Sequence, residues 1–294
     1  MRIYVLITSV DPFVAYMYDE GVVRFAADRY SPPTKRNRHD LSMHLTNYAV
    51  NRKTRKSVRI KETLSELLDY LDEHPELFSQ TPDSVAFGQK AGSGVIRTRL
   101  LKNIQDCLAK SLTAAYPYMV HGKRVSSIYS FPRRFFGYYG ADIIFDSRGK
   151  AKIFEINASP SLQMETPEDF EIKPLFVQSF LNIVGIPVNF DKDRQIIIPT
   201  RGKKTEGIFD FPIRYVPRDY DGIPNNYEKR VFKQIEVEAE RASKTKFHRI
   251  LPDAPEFHDM SQLSDAVRAY FKMGGAEVPI KANDEKSSEN KVEL

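Results

Sequence analysis

Two neighbouring segments carry acidic and amide side chains at spacings that suit a metal ion. Side chains alternate along a β-strand, so Asp142, Ile144 and Asp146 share one face, and Glu155 and Asn157 share a face of the next strand. If Asp142 and Glu155 lie on the same side of the hairpin, two carboxylates and a carboxamide converge. Such hard oxygen ligands suit Mg²⁺ bound together with substrate phosphates. From spacing alone, residues that cap turns on a solvated edge account for the same pattern.

Two arginines lie inside segments that have the composition of strands. Residues 2–8 and 21–26 are rich in β-branched and aromatic side chains and contain Arg2 and Arg24. An arginine within a strand usually faces solvent or forms an ion pair. Two arginines on adjacent strands can instead bind a carboxylate or a γ-phosphate through paired N–H groups.

A third candidate is the segment HLTNY at 44–48, which follows a polar, proline-containing loop at 31–40. Thr46 and Asn47 can hydrogen-bond a phosphate or a carboxylate, although an ordinary Asx or Ser/Thr turn accounts for the same residues. The sequence contains no Walker A motif, no G-x-G-x-x-G and no G-x-S-x-G, which excludes the commonest nucleotide and serine-hydrolase signatures.

The elements that must position these residues are strands mixed with amphipathic helices, which predicts an α+β fold. Apolar residues at helical spacing predict helices at 62–73, 98–115 and 171–185, with a further helix near 226–243. Strands at 141–146 and 151–157 flank the turn Ser147-Arg148-Gly149-Lys150 and predict a hairpin. We expect a compact domain at 1–187, a helical or irregular appendage at 188–280 and a disordered tail at 281–294.

Composition excludes several classes of protein. The 294 residues are 41% hydrophobic and 28% charged, which is typical of a globular protein and not of a disordered one. No apolar run approaches the roughly 18 residues of a membrane helix. The N-terminal apolar stretch is cut short at Asp11 without a cleavage site, so we expect no secretion. The single Cys107 excludes an intramolecular disulfide and a cysteine-rich zinc site, and favours a reducing compartment.

The charge is unevenly distributed and suggests an acidic partner. The net charge is +5, and residues 24–61 contain eleven Lys or Arg against two Asp. Nucleic acid, a phosphate ligand or an acidic peptide would complement this charge. A solvated basic surface without a partner accounts for it as well. Aromatic residues near the basic segments can stack on bases or fill a core; they are Tyr129, Phe131, Phe135 and Phe136.

Three strings together resemble one family. They are RIYVLITSVDPFVAYMYDEGVVRFA, MHLTNYAVNRK and the pair GADIIFD and KIFEINASPSL, in this order over about residues 2–187. The chain thereby resembles the tubulin–tyrosine ligase-like family, and its MHLTNYAVN segment is more similar to the polyglutamylase branch than to the tyrosine ligase itself. The resemblance implies an ATP-grasp fold and an ATP-dependent amide ligation. In that reaction the γ-phosphate activates a carboxylate, and an amino-acid amine then displaces phosphate from the acyl-phosphate.

The resemblance also implies roles for matching residues. Asp142, Glu155 and Asn157 match the family's Mg²⁺ ligands, and Arg2 and Arg24 match the arginines that meet the phosphate or the carboxylate substrates. Cations and Mg²⁺ would stabilise the charge that develops on the transferring phosphoryl group.

Further matches concern the nucleotide, the amino acid and the partner. Thr46 and Asn47 match part of the nucleotide and acyl-phosphate site, and Lys53 is a candidate for amino-acid recognition. The implied cofactors are ATP and Mg²⁺, the implied co-substrate is glutamate, and the implied partner is the acidic tail of tubulin in the microtubule cytoskeleton, with the cilium, flagellum or basal body as specific locations. A membrane partner is not expected.

The chain departs from the family pattern at two places. Gly140 and Ala141 precede Asp142 where the family has an aromatic residue, although the ligand is retained. Only Met1 precedes Arg2, so the resemblance implies the C-terminal lobe of the ligase with the N-terminal lobe missing. Two hypotheses follow: a truncated polyglutamylase-like ligase, or an inactive pseudoenzyme that binds tubulin through its basic surface. Binding of nucleic acid through residues 24–61 is a third and more distant alternative, and strong salt dependence would mark it.

Overall fold

The computed structural model describes residues 1–10, 12–51, 60–78, 94–125, 136–146, 148–186, 189–190, 196–197 and 226–252. The helices of four residues or more are α1 (Leu41–His44), α2 (Tyr48–Asn51), α3 (Leu64–Glu73), α4 (Val95–Val125), α5 (Pro167–Ile183) and α6 (Asn226–Ala242), with a 3₁₀ turn at Pro75–Phe78. The strands are β1 (Arg2–Val10), β2 (Phe13–Arg24), β3 (Lys61–Thr63), β4 (Gly137–Phe145), β5 (Ala151–Ala158), β6 (Asn189–Phe190), β7 (Ile196–Ile197) and β8 (Phe247–Leu251).

One antiparallel sheet organises the described part of the chain. Its strands follow the order β3, β2, β1, β4, β5, and β8 pairs with β2 beside β3. Helices cover both faces, with α3 and α4 on one and α5 and α6 on the other. This arrangement confirms the expected α+β fold with a mostly antiparallel sheet and flanking helices.

The first hairpin differs from the prediction in the length of its second strand. We expected a strand at 21–26, but β2 already begins at Phe13. Its side chains alternate between two apolar cores: Phe13, Ala15 and Met17 enter one and Val14, Tyr16 and Tyr18 enter the other. A strand buried on both faces shows no polar alternation, so the periodicity could not reveal it.

The predicted helices are present, although their ends were misplaced. A capping box between Thr63 and Glu66 starts α3 close to the expected position. The expected helix at 98–115 runs from Val95 to Val125, because Tyr116 and Met119 continue its apolar stripe on either side of Pro117. The expected helix at 171–185 begins at Pro167, and proline is favoured in a first helical turn.

The hairpin of β4 and β5 confirms the expected turn. The side chain of Asp146 accepts hydrogen bonds from the backbone N–H groups of Arg148 and Lys150 at 2.9 and 3.0 Å. Gly149 takes a positive φ of 72°, which glycine adopts without steric cost. The carboxylate of Asp146 therefore serves the turn.

Part of the predicted appendage packs on the main sheet. The helix α6 forms where it was expected, and Ile235, Ala242 and Phe247 join the core on its side of the sheet. Lys246 also pairs with the buried Glu20 at 3.1 Å. The domain boundary at residue 187 stays a prediction, and the predicted tail at 281–294 lies outside the described residues. None of the helices in the described ranges combines the length and hydropathy that crossing a bilayer requires.

Candidate active site: a cationic cleft on one face of the sheet

A single row of paired residues crosses five strands and places three of the predicted site residues on one face. Thr63 pairs with Val22, Val22 with Arg2, Arg2 with Asp142, and Asp142 with Glu155. Directly paired residues share a face of the sheet. The sheet therefore brings Arg2, Asp142 and Glu155 together from positions more than 150 residues apart in sequence.

Arg2 and Asp142 form a two-bond ion pair. The Nε and Nη2 atoms of Arg2 donate to the two carboxylate oxygens of Asp142 at 2.7 and 2.9 Å. Burial alone would raise the pKa of Asp142, but the hydrogen bonds and charge of Arg2 outweigh it and hold that pKa below its usual range. Both oxygens of the first predicted metal ligand are thus engaged by an arginine.

Glu155 and Asn157 present oxygen atoms beside this pair. The Nδ2 of Asn157 donates to Oε1 of Glu155 at 2.8 Å, which leaves the second carboxylate oxygen and the amide Oδ1 as acceptors. A bulge after the pair of Asp142 and Glu155 makes Phe154 the extra residue of β5. Among the described residues, no three His, Cys, Asp or Glu side chains cluster as a metal site. The donor set is therefore two hard ligands, which fits Mg²⁺ completed by phosphate oxygens and water.

A cleft of about 530 Å³ opens over this face. Four cations line it, namely Arg2, Arg24, Lys61 and Lys173. Within the described chain Arg2 pairs with Asp142, and both lysines pair with Asp169. The guanidinium of Arg24 forms no hydrogen bond or ion pair with any described residue, so it is the cleft cation without a counter-charge in the described chain.

Gly140 makes room for the Arg2 side chain. A Cβ atom at Gly140 would lie 2.8 Å from Arg2 Cδ and 2.9 Å from Pro160 Cβ. The departure from the family pattern noted beside Asp142 therefore sits directly against the cleft arginine.

We expect Gly140→Ala to displace Arg2 and lower the free energy of unfolding by about 1–3 kcal/mol, as overpacking does. Urea denaturation measures this change. Arg2→Ala combined with Gly140→Ala should show a coupling energy, because alanine has no atom at the Cδ position that the new Cβ contests. Additive effects of the two substitutions would contradict the contact.

The floor of the cleft is a buried triad. Lys61 of β3 lies 2.8 Å from Asp169 Oδ2, and Lys173 lies 2.9 Å from Asp169 Oδ1. Lys61 also stands 4.3 Å from the ring centre of Tyr48. Burial would raise the pKa of Asp169, but hydrogen bonds from both lysines overcome it and bring that pKa to about 2.

Asp169 should therefore make the free energy of unfolding depend on pH in the acid range. Its folded pKa of about 2 lies below the ordinary value of about 3.9, so its stabilisation is complete above the higher value and is lost as pH falls toward the lower one. We expect Asp169→Asn to be less stable than the wild type at pH 7, with a difference that shrinks between about pH 4 and pH 2. Denaturant unfolding across this range measures it, and a difference independent of pH would contradict the ionised triad.

Two predicted residues lie beside the cleft and one lies outside the described chain. Thr46 and Asn47 are exposed and do not line the cleft, whereas the next residue, Tyr48, does. The carbonyl of Asn47 accepts hydrogen bonds from the backbone N–H groups of Val50 and Asn51 in α2. Lys53 falls among the residues whose structure is not described. The roles of all three stay predictions.

Sequence reasoning missed the triad. Lys61 stands two residues before the capping threonine of α3, in a strand of only three residues. Asp169 and Lys173 have the i,i+4 spacing of a helical ion pair, which is the signal that could have found them. The aromatic residue Phe136 packs on Phe180 in the core, and its three predicted neighbours lie outside the described residues.

A match to a family model shows which family the chain belongs to. Residues 1–194 match the tubulin-tyrosine ligase family. The chain belongs to this family. Similar proteins include tubulin polyglutamylase ttll6 of Danio rerio, 33% identical over 63% of this chain, and tubulin polyglutamylase TTLL13 of Mus musculus, 32% identical over 74%. Tubulin polyglutamylase TTLL5 of Homo sapiens is 30% identical over 74%. These matches cover 22%, 25% and 16% of the relatives' own lengths, so this family member spans a quarter or less of each.

Proposed function

We propose that this chain forms the phosphate-facing sheet of an ATP-dependent ligase that adds glutamate to carboxylates of an acidic protein tail. Membership of the tubulin-tyrosine ligase family and similarity to tubulin polyglutamylases support the proposal. The observation that carries it is the cleft, which Arg24 lines together with two candidate oxygen ligands, Glu155 and Asn157.

The cleft has two sides of different chemistry. The oxygen wall is formed by Glu155 and Asn157, and the cationic wall by Arg24, Lys61 and Lys173. Glu155 and Asn157 would hold Mg²⁺, which when bound neutralises charge on phosphoryl oxygens. Arg24 is positioned to bind the phosphate or the carboxylate that receives it. The guanidinium of Arg2 holds Asp142 in this structure, and its predicted contact with a phosphate or a carboxylate stays a prediction.

A basic loop at the rim supports an acidic protein partner. The loop leaves the cleft at Arg24 and returns at Tyr48. It carries exposed cations without an acidic partner among the described residues, and these are Arg29, Lys35, Arg36 and Arg38. Asn37 fixes the loop through hydrogen bonds to Ser31, Pro32 and Thr34. We propose a tubulin tail as the partner, glutamate as co-substrate, and the microtubule cytoskeleton, including the cilium, flagellum or basal body, as the location.

A second candidate is a tubulin-binding protein without turnover. It is favoured by the pair of Arg2 and Asp142, which occupies the first predicted metal ligand. A ligase predicts release of ADP that requires Mg²⁺, glutamate and an acidic peptide together. A binding protein predicts peptide binding with no ADP release under any combination.

A coupled ADP assay on the protein at its natural length tests the two candidates. ADP release that needs all three additions supports the ligase, and peptide binding without it supports the binding protein. Competition between duplex DNA and a polyglutamate peptide tests the basic loop. Displacement of the peptide by DNA at low concentration would contradict an acidic protein partner.

A further inference from the structure

We propose that Lys61 and Lys173, held on either side of Asp169, form a carboxylate-binding subsite on the floor of the cleft. The subsite itself is argued from the triad's geometry. The identity of the carboxylate, an amino acid or an acidic side chain, rests on the proposed ligase function.

The two ammonium groups are fixed in place on the cleft surface. Lys61 and Lys173 are each only 8% exposed, yet both line the cleft. Lys61 comes from β3 and Lys173 from α5, and each donates to a different oxygen of Asp169. Further hydrogen bonds run from Lys61 to Thr166 and from Lys173 to the carbonyl of Gln163. Neither side chain needs to give up much conformational entropy when a ligand arrives.

The charges of the triad do not cancel. Two ammonium groups face one carboxylate, which leaves one net positive charge in a buried location. Asp169 also accepts from the hydroxyl of Thr166 at 3.1 Å and from the backbone N–H of Glu165 at 3.3 Å. Because its oxygens already receive four donors, Asp169 cannot neutralise the second lysine completely. A buried excess charge is costly, and an anionic ligand would relieve it.

The size of the excess charge favours a carboxylate over a phosphate. One negative charge completes the triad, whereas a phosphate carries more charge and is better served by the opposite wall. There Glu155 and Asn157 on β5 offer oxygen ligands for Mg²⁺. Arg24 is the cross-strand partner of Lys61 and adds a guanidinium on the lysine side of the cleft. A reaction between two carboxylate-bearing molecules needs a place for a carboxylate that does not react. The lysine floor supplies that place at the far side of the cleft from the metal ligands.

A purely structural role makes a different prediction. The triad also joins β3 to α5, so removing a lysine lowers stability under either interpretation. Only a ligand subsite makes carboxylate affinity depend on the lysines in a protein that remains folded.

Titration calorimetry of the whole chain tests the subsite. L-glutamate, a capped triglutamate peptide and inorganic phosphate are titrated separately, without nucleotide. Lys173→Met is compared with the wild type and with Lys102→Met. Lys102 pairs with Asp106 at 2.6 Å on α4, which packs on the opposite face of the sheet, so its loss matches the chemistry without touching the cleft. Circular dichroism checks that each variant is folded. If Lys173→Met fails to fold, Lys61→Gln takes its place in the comparison.

We expect Lys173→Met to weaken glutamate or peptide binding about tenfold to a hundredfold, as when a hydrogen bond to a charged group is lost. Lys102→Met should bind as the wild type does. If L-glutamate loses affinity, the subsite binds the free amino acid. If the triglutamate peptide loses affinity, the subsite binds an acidic side chain. Unchanged affinity in Lys173→Met, absence of carboxylate binding by the wild type, or phosphate binding that needs the lysines would overturn the subsite. Mg²⁺–ATP is titrated into the same protein, so failure of nucleotide binding counts against the ligase function separately.

Discussion

Replacing Glu155 by alanine should reduce glutamate transfer by about a thousandfold or more. Glu155 is the proposed metal-binding carboxylate because Arg2 already holds both oxygens of Asp142, and its partner Asn157 would supply the second ligand. Losing the metal removes several kcal/mol of charge stabilisation from the transition state, and a thousandfold in rate corresponds to about 4 kcal/mol. Initial rates at saturating ATP, over a range of Mg²⁺ concentrations, measure the effect.

Glu171→Ala is the matched control for this substitution. Glu171 is an exposed carboxylate of α5 that does not line the cleft. The Glu171→Ala protein should transfer glutamate at the wild-type rate. Glu155→Gln keeps the hydrogen bond from Asn157 but loses the charge, so it should behave like Glu155→Ala. A rate for Glu155→Ala within tenfold of the wild type would show that the metal is held elsewhere.

Replacing Arg24 by methionine should lower kcat by about 10²–10³-fold, the range for removing one donor that stabilises transition-state charge. Arg24 is the cleft cation without an ion pair among the described residues, so its charge is directed at a ligand and at no protein carboxylate. Methionine keeps most of the apolar side chain, which limits the effect on folding. Steady-state kinetics with ATP and acceptor varied in turn separate kcat from KM.

Arg29→Met is the control for Arg24→Met. Arg29 is exposed on the basic loop, so its loss should raise KM for the acidic acceptor slightly and leave kcat unchanged. Equal effects of the two substitutions would mean that Arg24 contributes general surface charge. A loss for Arg24→Met that disappears at saturating substrate would place it in ground-state binding.

The elements with strong local signals could be predicted from the sequence. The hairpin of β4 and β5 was found through the turn around Gly149, and α3 through the spacing of Leu64, Leu67, Leu68 and Leu71. Placement of Asp142 opposite Glu155 was stated as a condition, and the register of the two strands meets it. Local chemistry and periodicity were sufficient here because each element is specified by neighbouring residues.

Features that depend on distant partners could not be predicted. The pair of Arg2 and Asp142 joins residues 140 positions apart, and Lys61 meets Asp169 across 108 positions. No pattern along the chain reveals which arginine faces which carboxylate. The early start of β2 was missed for a related reason, because burial on both faces removes the polar alternation by which strands are recognised.

The most direct measurement is mass spectrometry of tubulin after incubation with the protein at its natural length, ATP, Mg²⁺ and glutamate. The proposed function predicts tail peptides that gain whole glutamate residues, with no gain when ATP is omitted or when Glu155→Ala replaces the wild type. Unmodified tails in the presence of every component, from a protein that binds tubulin, would contradict the ligase function and support the binding protein instead.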